Sequence, residues 1–228
     1  MSIILNIETA TKNCSVSIAC KGKVIAVKEL NNGNYSHAEV LHPFIEKVLK
    51  ESQLTFKNID AVAVSKGPGS YTGLRIGVSA AKGLCFANNI PLISIDTLQS
   101  LANAISISEG CIIPMIDARR MEVYADVFNA QHQSLRGIKA EIIAEDSYLT
   151  YLNKGIVTFL GDGALKCKAV IKHKNAHFIE GKFPSSEQMA ILSYEKYTNK
   201  TFEDVAYFEP FYLKDFIAVP QKKRKPLF

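Results

Sequence analysis

The sequence predicts an α/β protein made by internal duplication, with two mixed-sheet lobes and a cleft between them. Three observations carry that prediction. Ile3-Ile4-Leu5-Asn6-Ile7-Glu8 and Cys111-Ile112-Ile113-Pro114-Met115-Ile116-Asp117 are both apolar runs ending in an acid, the pattern of a central strand buried on two faces. Each is followed by a polar turn and a stretch of alternating polarity that reads as a hairpin. Apolar runs also stand directly ahead of glycine-containing turns, at 61–64 and at 156–160. The halves divide near Ser106-Ile107-Ser108-Glu109-Gly110, giving lobes over residues 1–105 and 106–228.

In chain order, the first strand gives way to a polar turn at 9–13 and an alternating strand at 14–20. Lys21-Gly22-Lys23 closes a hairpin onto a third strand ending at Leu30. Val40, Leu41, Phe44, Ile45, Val48 and Leu49 then recur at helical spacing, with Pro43 inside the pattern, so that helix either kinks there or starts shortly before it. The strand Ala61-Val62-Ala63-Val64 leads through the glycine turn into a helix that Asn88-Asn89-Ile90-Pro91 stops. A buried strand at 92–95 follows, and Asp96 or Thr97 caps a helix to about Ala104. The second half repeats the order with a strand at 111–117, one alternating strand at 121–128 and a third at 137–144. It continues with a helix at 146–152, the strand 156–160 before Gly161-Asp162-Gly163, and a helix from Ser185 or Ser186 to about Tyr197. That last helix and the basic tail are expected to pack back on the first lobe.

The densest signal is Lys66-Gly67-Pro68-Gly69-Ser70-Tyr71-Thr72-Gly73-Leu74-Arg75-Ile76-Gly77. Glycine permits positive φ and proline fixes φ, so Gly67-Pro68-Gly69 is a turn, with Thr72 as the candidate N-cap of the helix. A glycine turn before a helix N-terminus offers free N–H groups to an anion, or is simply a tight connection. Gly73 is followed by Leu74-Arg75, not the Lys-Ser/Thr of a Walker A loop, and the third glycine falls one residue late for a dinucleotide fingerprint.

Composition narrows the class. Hydrophobic residues make up 47% of the 228 and charged residues 21%, as in ordinary globular proteins. No apolar run has the length of a membrane span and the N-terminus has no basic region before an apolar stretch, so the expectation is a cytoplasmic protein. Five cysteines without a C-x-x-C pair read as buried thiols. The net charge of +5 is local: setting aside the four cations of Lys222-Lys223-Arg224-Lys225 leaves 23 basic residues against 22 acidic, so the body is no basic nucleic-acid platform.

The string from Gly67 to Gly77 resembles the signature of the bacterial TsaB (YeaZ) family, within the actin-like (ASKHA, ribonuclease H-like) superfamily. Ile7-Glu8-Thr9-Ala10-Thr11, His37-Ala38-Glu39, Asp117-Ala118-Arg119-Arg120 and Pro210-Phe211-Tyr212-Leu213-Lys214 resemble further motifs of it. The resemblance implies a role in placing threonylcarbamoyl on the tRNA adenosine beside the anticodon. It implies a non-catalytic subunit that pairs with a larger TsaD transferase paralogue, with a TsaE ATPase joining and tRNA met indirectly through the complex. One exposed apolar patch would serve the paralogue or a second copy alike, so a homodimer is expected in isolation; no cofactor is firmly expected, an adenine nucleotide held weakly at the partner interface being the one candidate. Older labels for such proteins are glycoprotease-like or M22 peptidase.

The residues bear on catalysis directly. His37 and His42 are separated by roughly 140° on a regular helix, so they cannot face one metal. Neither H-E-x-x-H nor G-x-S-x-G is present, which leaves a peptidase without its constellation. Glu8 and Asp117 end the opening strands where actin-like kinases keep acids for magnesium, so an ATPase or phosphotransferase is the alternative reading; Glu8 departs from the family's aspartate. Glu8, Thr9, Gly69, Ser70, Asp117 and Arg119 are the candidate anion- or nucleotide-facing residues. For a partner interface, Gly73, Gly77 and Ala81 recur every four residues with Ala80 beside them, a small-residue stripe open to another helix or to the chain's own sheet. Leu74, Leu84 and Arg75 join this candidate face, Arg75 expecting an acidic or phosphate partner because a cation opposes the dipole there. Val40 and Phe44 supply the second wall, as the resemblance implies.

Overall fold

The computed structural model describes residues 2–33 and 36–214. β1 (Ile3–Glu8), β2 (Cys14–Cys20) and β3 (Lys23–Leu30) form an antiparallel meander. α1 (His37–Glu51), β4 (Ala61–Gly67), α2 (Tyr71–Asn88), β5 (Leu92–Asp96) and α3 (Thr97–Ala102) follow. β4 joins β1 in parallel and β5 joins β4, so the sheet order is β3-β2-β1-β4-β5. The second half runs β6 (Cys111–Asp117), β7 (Glu122–Ala125), β8 (Phe128–Asn129), β9 (Lys139–Ile142) and α4 (Leu149–Leu152). It ends with β10 (Val157–Leu160), α5 (Ala164–Cys167), β11 (Ala176–Ile179) and α6 (Ser186–Thr198). Its sheet order is β11-β10-β6-β7-β9, with β8 pairing beside β6. β6 stands where β1 does, an antiparallel hairpin on one side and parallel strands on the other.

Alternation along each strand divides the core into layers. On one face of the first sheet, Leu5, Ile7, Val16 and Val64 meet Leu41, Ile45 and Val48 of α1 and Val78, Ala81 and Cys85 of α2. Burying each large aliphatic side chain contributes about 1.5–3 kcal/mol. On the other face, Ile4, Ala61, Ala63 and Ile93 pack on Met189 and Leu192 of α6. The start of α6 is tied to β2, with Ser15 Oγ 2.7 Å from Ser186 Oγ and Ser17 Oγ donating to the Ser186 carbonyl at 2.9 Å. Beyond α6 the chain crosses the first sheet again. Glu203 N–H donates to the Leu92 carbonyl (2.9 Å), Lys82 Nζ to that of Phe208 (2.9 Å), and Phe211 N–H to that of Lys66 (2.7 Å). Lys214 ends this strap in an ion pair with Glu122 of β7, on the second lobe. The basic run after Gln221 lies outside the described residues.

Several elements differ from the sequence reading. α1 starts six residues ahead of Pro43 and runs through it, losing only the single backbone bond that proline cannot donate. Ser70, not Thr72, caps α2: Ser70 holds an extended backbone and its Oγ accepts from Gly73 N–H at 3.2 Å, whereas Thr72 is already helical. Of the two candidates before α3, Asp96 is the cap, accepting from Leu98 N–H at 3.1 Å. The expected single strand at 121–128 is two, because the buried Asp126 carboxylate accepts from Val127 N–H at 2.6 Å and from the Ser134 hydroxyl at 2.7 Å and interrupts the ladder. All five cysteines are free thiols; burial pushes Cys14 up to about 12 and Cys85 and Cys167 to about 11.

Candidate functional site

The glycine turn is filled by the chain's own backbone. Ser70 N–H donates to the Ala10 carbonyl at 2.7 Å, and Thr9 Oγ1 donates to the Gly73 carbonyl at 2.8 Å. A Cβ on Gly69 would fall inside 3.0 Å of the Ala10 carbonyl, one on Gly73 inside that distance of the Thr9 carbonyl, and one on Gly77 inside it of Thr9 Oγ1. The glycines are there so that the β1–β2 turn can lie against α2. This corrects the small-residue stripe as a partner face: Gly73, Gly77 and Ala81 are buried within the chain, and so is Leu74. It also leaves the start of α2 facing Thr9 and Ala10, where an anion was one of the two expectations.

What α1 and α2 leave outward is a different strip. Val40 and Phe44 on α1, with Ile76, Ala80 and Leu84 on α2, pack on the core only in part. Gly83 is exposed with open space where a Cβ would go, and Phe86 is 84% exposed. Of the residues named from sequence, Val40, Phe44, Ala80 and Leu84 stand on this strip. Ile76 and Phe86 were missed, although Ile76 shares one face with Ala80 and Gly83 by helical spacing.

Arg75 is exposed, and its partners are aromatic. Its Nε donates to Tyr212 Oη at 3.2 Å and its guanidinium lies 4.2 Å over the Tyr71 ring, which is itself 4.8 Å from the Tyr212 ring. Its direct contacts are thus a tyrosine pair, one member of which arrives on the returning strap, 137 residues away in sequence, while an acid, Glu209 of the same strap, reaches it only through its charge and not as an ion pair.

A cleft of about 920 Å³ opens between the lobes, and Gly69, Ser70, Asp117 and Arg119 line it. Glu8 and Thr9 do not; both are fully buried. Glu8 Oε1 accepts from Ala10 N–H at 2.6 Å, and Oε2 has no hydrogen-bond partner among the described residues. Burial drives the Glu8 carboxyl up to about 7, against the pull of the Ala10 and Thr9 N–H groups and the Ser65 hydroxyl. Asp117 is an exposed carboxylate held in an ion pair with Lys166, and it accepts from Arg119 N–H at 2.9 Å. The two strand-end acids thus do not face one another across the cleft, and this pair does not fit a magnesium-nucleotide group. His37 is buried and His42 exposed, so they look in different directions. Among the described residues no three His, Cys, Asp or Glu side chains converge as metal ligands, and no helix is long and apolar enough to cross a membrane.

Two sheets of the same strand order, each a three-stranded meander continued by parallel strands around a shared cleft, define a duplicated actin-like (ASKHA, ribonuclease H-like) protein. A family model described as TsaD, tRNA N6-adenosine threonylcarbamoyltransferase, matches residues 32–219. The chain is 28% identical over 224 residues to the tRNA threonylcarbamoyladenosine biosynthesis protein TsaB of Haemophilus influenzae, covering 93% of each. It is 29% identical over 226 residues to the protein of the same description from Escherichia coli, covering 94% of this chain and 96% of the relative. A solved structure from Pseudomonas aeruginosa, described as an uncharacterized protein with similarity to peptidase YeaZ, shares the fold with a TM-score of 0.82 at 23% identity, covering 94% of this chain and 100% of that one. The chain belongs to the TsaB (YeaZ) family, within the wider family that the threonylcarbamoyltransferase model describes.

Proposed function

We propose that this chain is a non-catalytic subunit of the assembly that transfers threonylcarbamoyl to the tRNA adenosine beside the anticodon, and that it acts by pairing with a TsaD-type transferase. The observation that carries the reading is the outward strip of α1 and α2. Val40, Phe44, Ile76, Ala80 and Leu84 are only partly covered, and Gly83 offers no side chain to hold a neighbouring helix away. Small and apolar residues on one face let two helices approach to interhelical distances of about 8–10 Å. The family supplies the partner's identity. The sealed Glu8 and the ion-paired Asp117 support the absence of chemistry in this chain, and a TsaE-type ATPase would join the pair rather than act through it. In the absence of the transferase a second copy covers the same strip, which gives a homodimer by isologous contact.

The test uses Ala80→Arg and Gly83→Arg, since Ala81 is buried and its replacement would disturb the core. Each variant is expected to keep the wild-type melting temperature and to bind the transferase at least about 10-fold more weakly, which is about 1.4 kcal/mol. Titration calorimetry against the purified transferase checks it. Wild-type affinity in both variants would place the interface elsewhere.

A further inference from the structure

Around the mouth of the cleft stand four cations that form no ion pair among the described residues. The acids there are taken: Asp117 by Lys166, Glu122 by Lys214 and Glu180 by Lys168. The Asp162 carboxylate accepts from Asp117 N–H at 3.0 Å, with Lys12 the cation whose field reaches it. Lys12 from the first lobe and Arg119 and Lys182 from the second line the cleft without an ion pair, and Arg120 is exposed next to Arg119. The near-neutral body therefore hides a local excess of positive charge.

The two arginines are also in an unexpected backbone state. They stand in the turn between β6 and β7, where Ala118 N–H donates to the Glu122 carbonyl and Glu122 N–H to that of Arg119, both at 3.1 Å. Arg119 has φ 72° and Arg120 φ 47°, two consecutive left-handed residues where glycine or asparagine would sit with less strain. Neither side chain makes a hydrogen bond or ion pair with another described group, and only the Tyr124 phenol feels the Arg119 charge, so the fold gains little local from arginine at these positions. A local rule broken for little structural gain points outward, to something the side chains meet.

We propose that this rim binds the phosphodiester backbone of RNA, with Arg119 and Arg120 as the leading contacts and Lys12 and Lys182 flanking them. This rests on the reading above that the chain serves a tRNA-modifying assembly. The cations come from three separate segments on both walls of a wide mouth, which suits a strand of phosphates. A single small phosphate would need donors converging on one point, and the glycine turn that could offer them faces Thr9 and Ala10. Tyr124 and Phe183 line the same cleft and give unpaired bases surfaces to stack on, whereas the Phe178 ring is already stacked on Phe159.

The experiment is fluorescence anisotropy of a labelled RNA stem-loop with the full chain, alone and with the transferase, across a salt series. In Arg119→Gly/Arg120→Gly the affinity at low salt should fall about 10-fold, equally for different loop sequences. The slope of log K against log salt should become shallower by about 1.4, at about 0.7 per single-strand phosphate contact. The melting temperature should hold or rise, because glycine relieves the left-handed strain. Unchanged affinity and slope would overturn the proposal, as would a lowered melting temperature, which would show that the arginines serve the fold. It would also be overturned if replacing Lys222, Lys223, Arg224 and Lys225 by glutamine removed all RNA binding, or if ATP displaced the RNA as well as unlabelled RNA does. Transferase binding is measured on the same samples. If wild type binds the transferase but RNA affinity ignores the arginines, only this inference fails; if wild type does not bind the transferase, the functional reading fails whatever the RNA does.

Discussion

Gly73→Ala should lower the unfolding free energy by about 3 kcal/mol, the upper range for overpacking a rigid site. The added methyl meets the Thr9 carbonyl, which is backbone and belongs to the turn that closes β1 onto β2. It can be accommodated only by moving that turn or α2, and both are seated on the first core. Gly77→Ala is the informative companion, because its methyl meets Thr9 Oγ1 instead. Thr9→Ala removes that atom at the cost of its bond to the Gly73 carbonyl, about 1 kcal/mol. Alanine in place of glycine within a helix returns about 1 kcal/mol of propensity. The double variant Thr9→Ala/Gly77→Ala should therefore unfold at nearly the wild-type urea midpoint, while Thr9→Ala does nothing to relieve Gly73→Ala. Rescue of both glycine variants, or of neither, would mean that the turn and helix are not packed as described. The strip on α1 and α2 should suffer with α2, so Gly73→Ala should also weaken transferase binding.

The same contact explains where the sequence was readable and where it was not. Strand ends, the glycine turn and the repeated order of strands are local patterns, and Ile3–Glu8 and Cys111–Asp117 show the duplication without any three-dimensional information. The stripe Gly73, Gly77, Ala81 was equally visible, but a small residue records only that something lies close and does not say what. The occupant is Thr9, 64 residues upstream of Gly73. Arg75 shows the same limit, since its tyrosine partner comes on a strap with no regular structure of its own. The short α5 and β11 have too few residues to show a period, and the sequence reading leaves them out. The rim arginines were legible as a motif, and Arg119 alone as an anion-facing candidate, but their left-handed backbone was not, because arginine is not a residue from which that conformation is expected.

Stability should fall as pH rises from about 5 to 8, and Glu8→Gln should abolish most of that fall. Glu8 is fully buried, one carboxylate oxygen has no hydrogen-bond partner among the described residues, and the nearby Cys14 thiol offers its charge no counterion. Its carboxyl titrates at about 7 in the folded chain against an ordinary value of 4.5. Between these values the folded state holds a proton that the unfolded state has released, so the unfolded state gains relative to the folded as pH rises. The stabilisation is complete below about 4.5 and is lost by the time pH passes 7, a change of about 3 kcal/mol at 1.36 kcal/mol per pKa unit. Asp96, raised by burial from 3.8 to about 6, adds a loss of the same sign over the lower part of that range. Glutamine keeps an oxygen for Ala10 N–H and carries no charge, so Glu8→Gln should match wild type near pH 4 and exceed it by about 3 kcal/mol at pH 8 in urea unfolding. Equal stabilities at pH 8 would mean that Glu8 ionises at an ordinary pKa, and hence that water or a cation reaches it. That outcome would reopen the phosphotransferase reading, because an acid that holds a metal must be charged and accessible, and Glu8 as folded here is neither charged at neutral pH in full nor accessible at all.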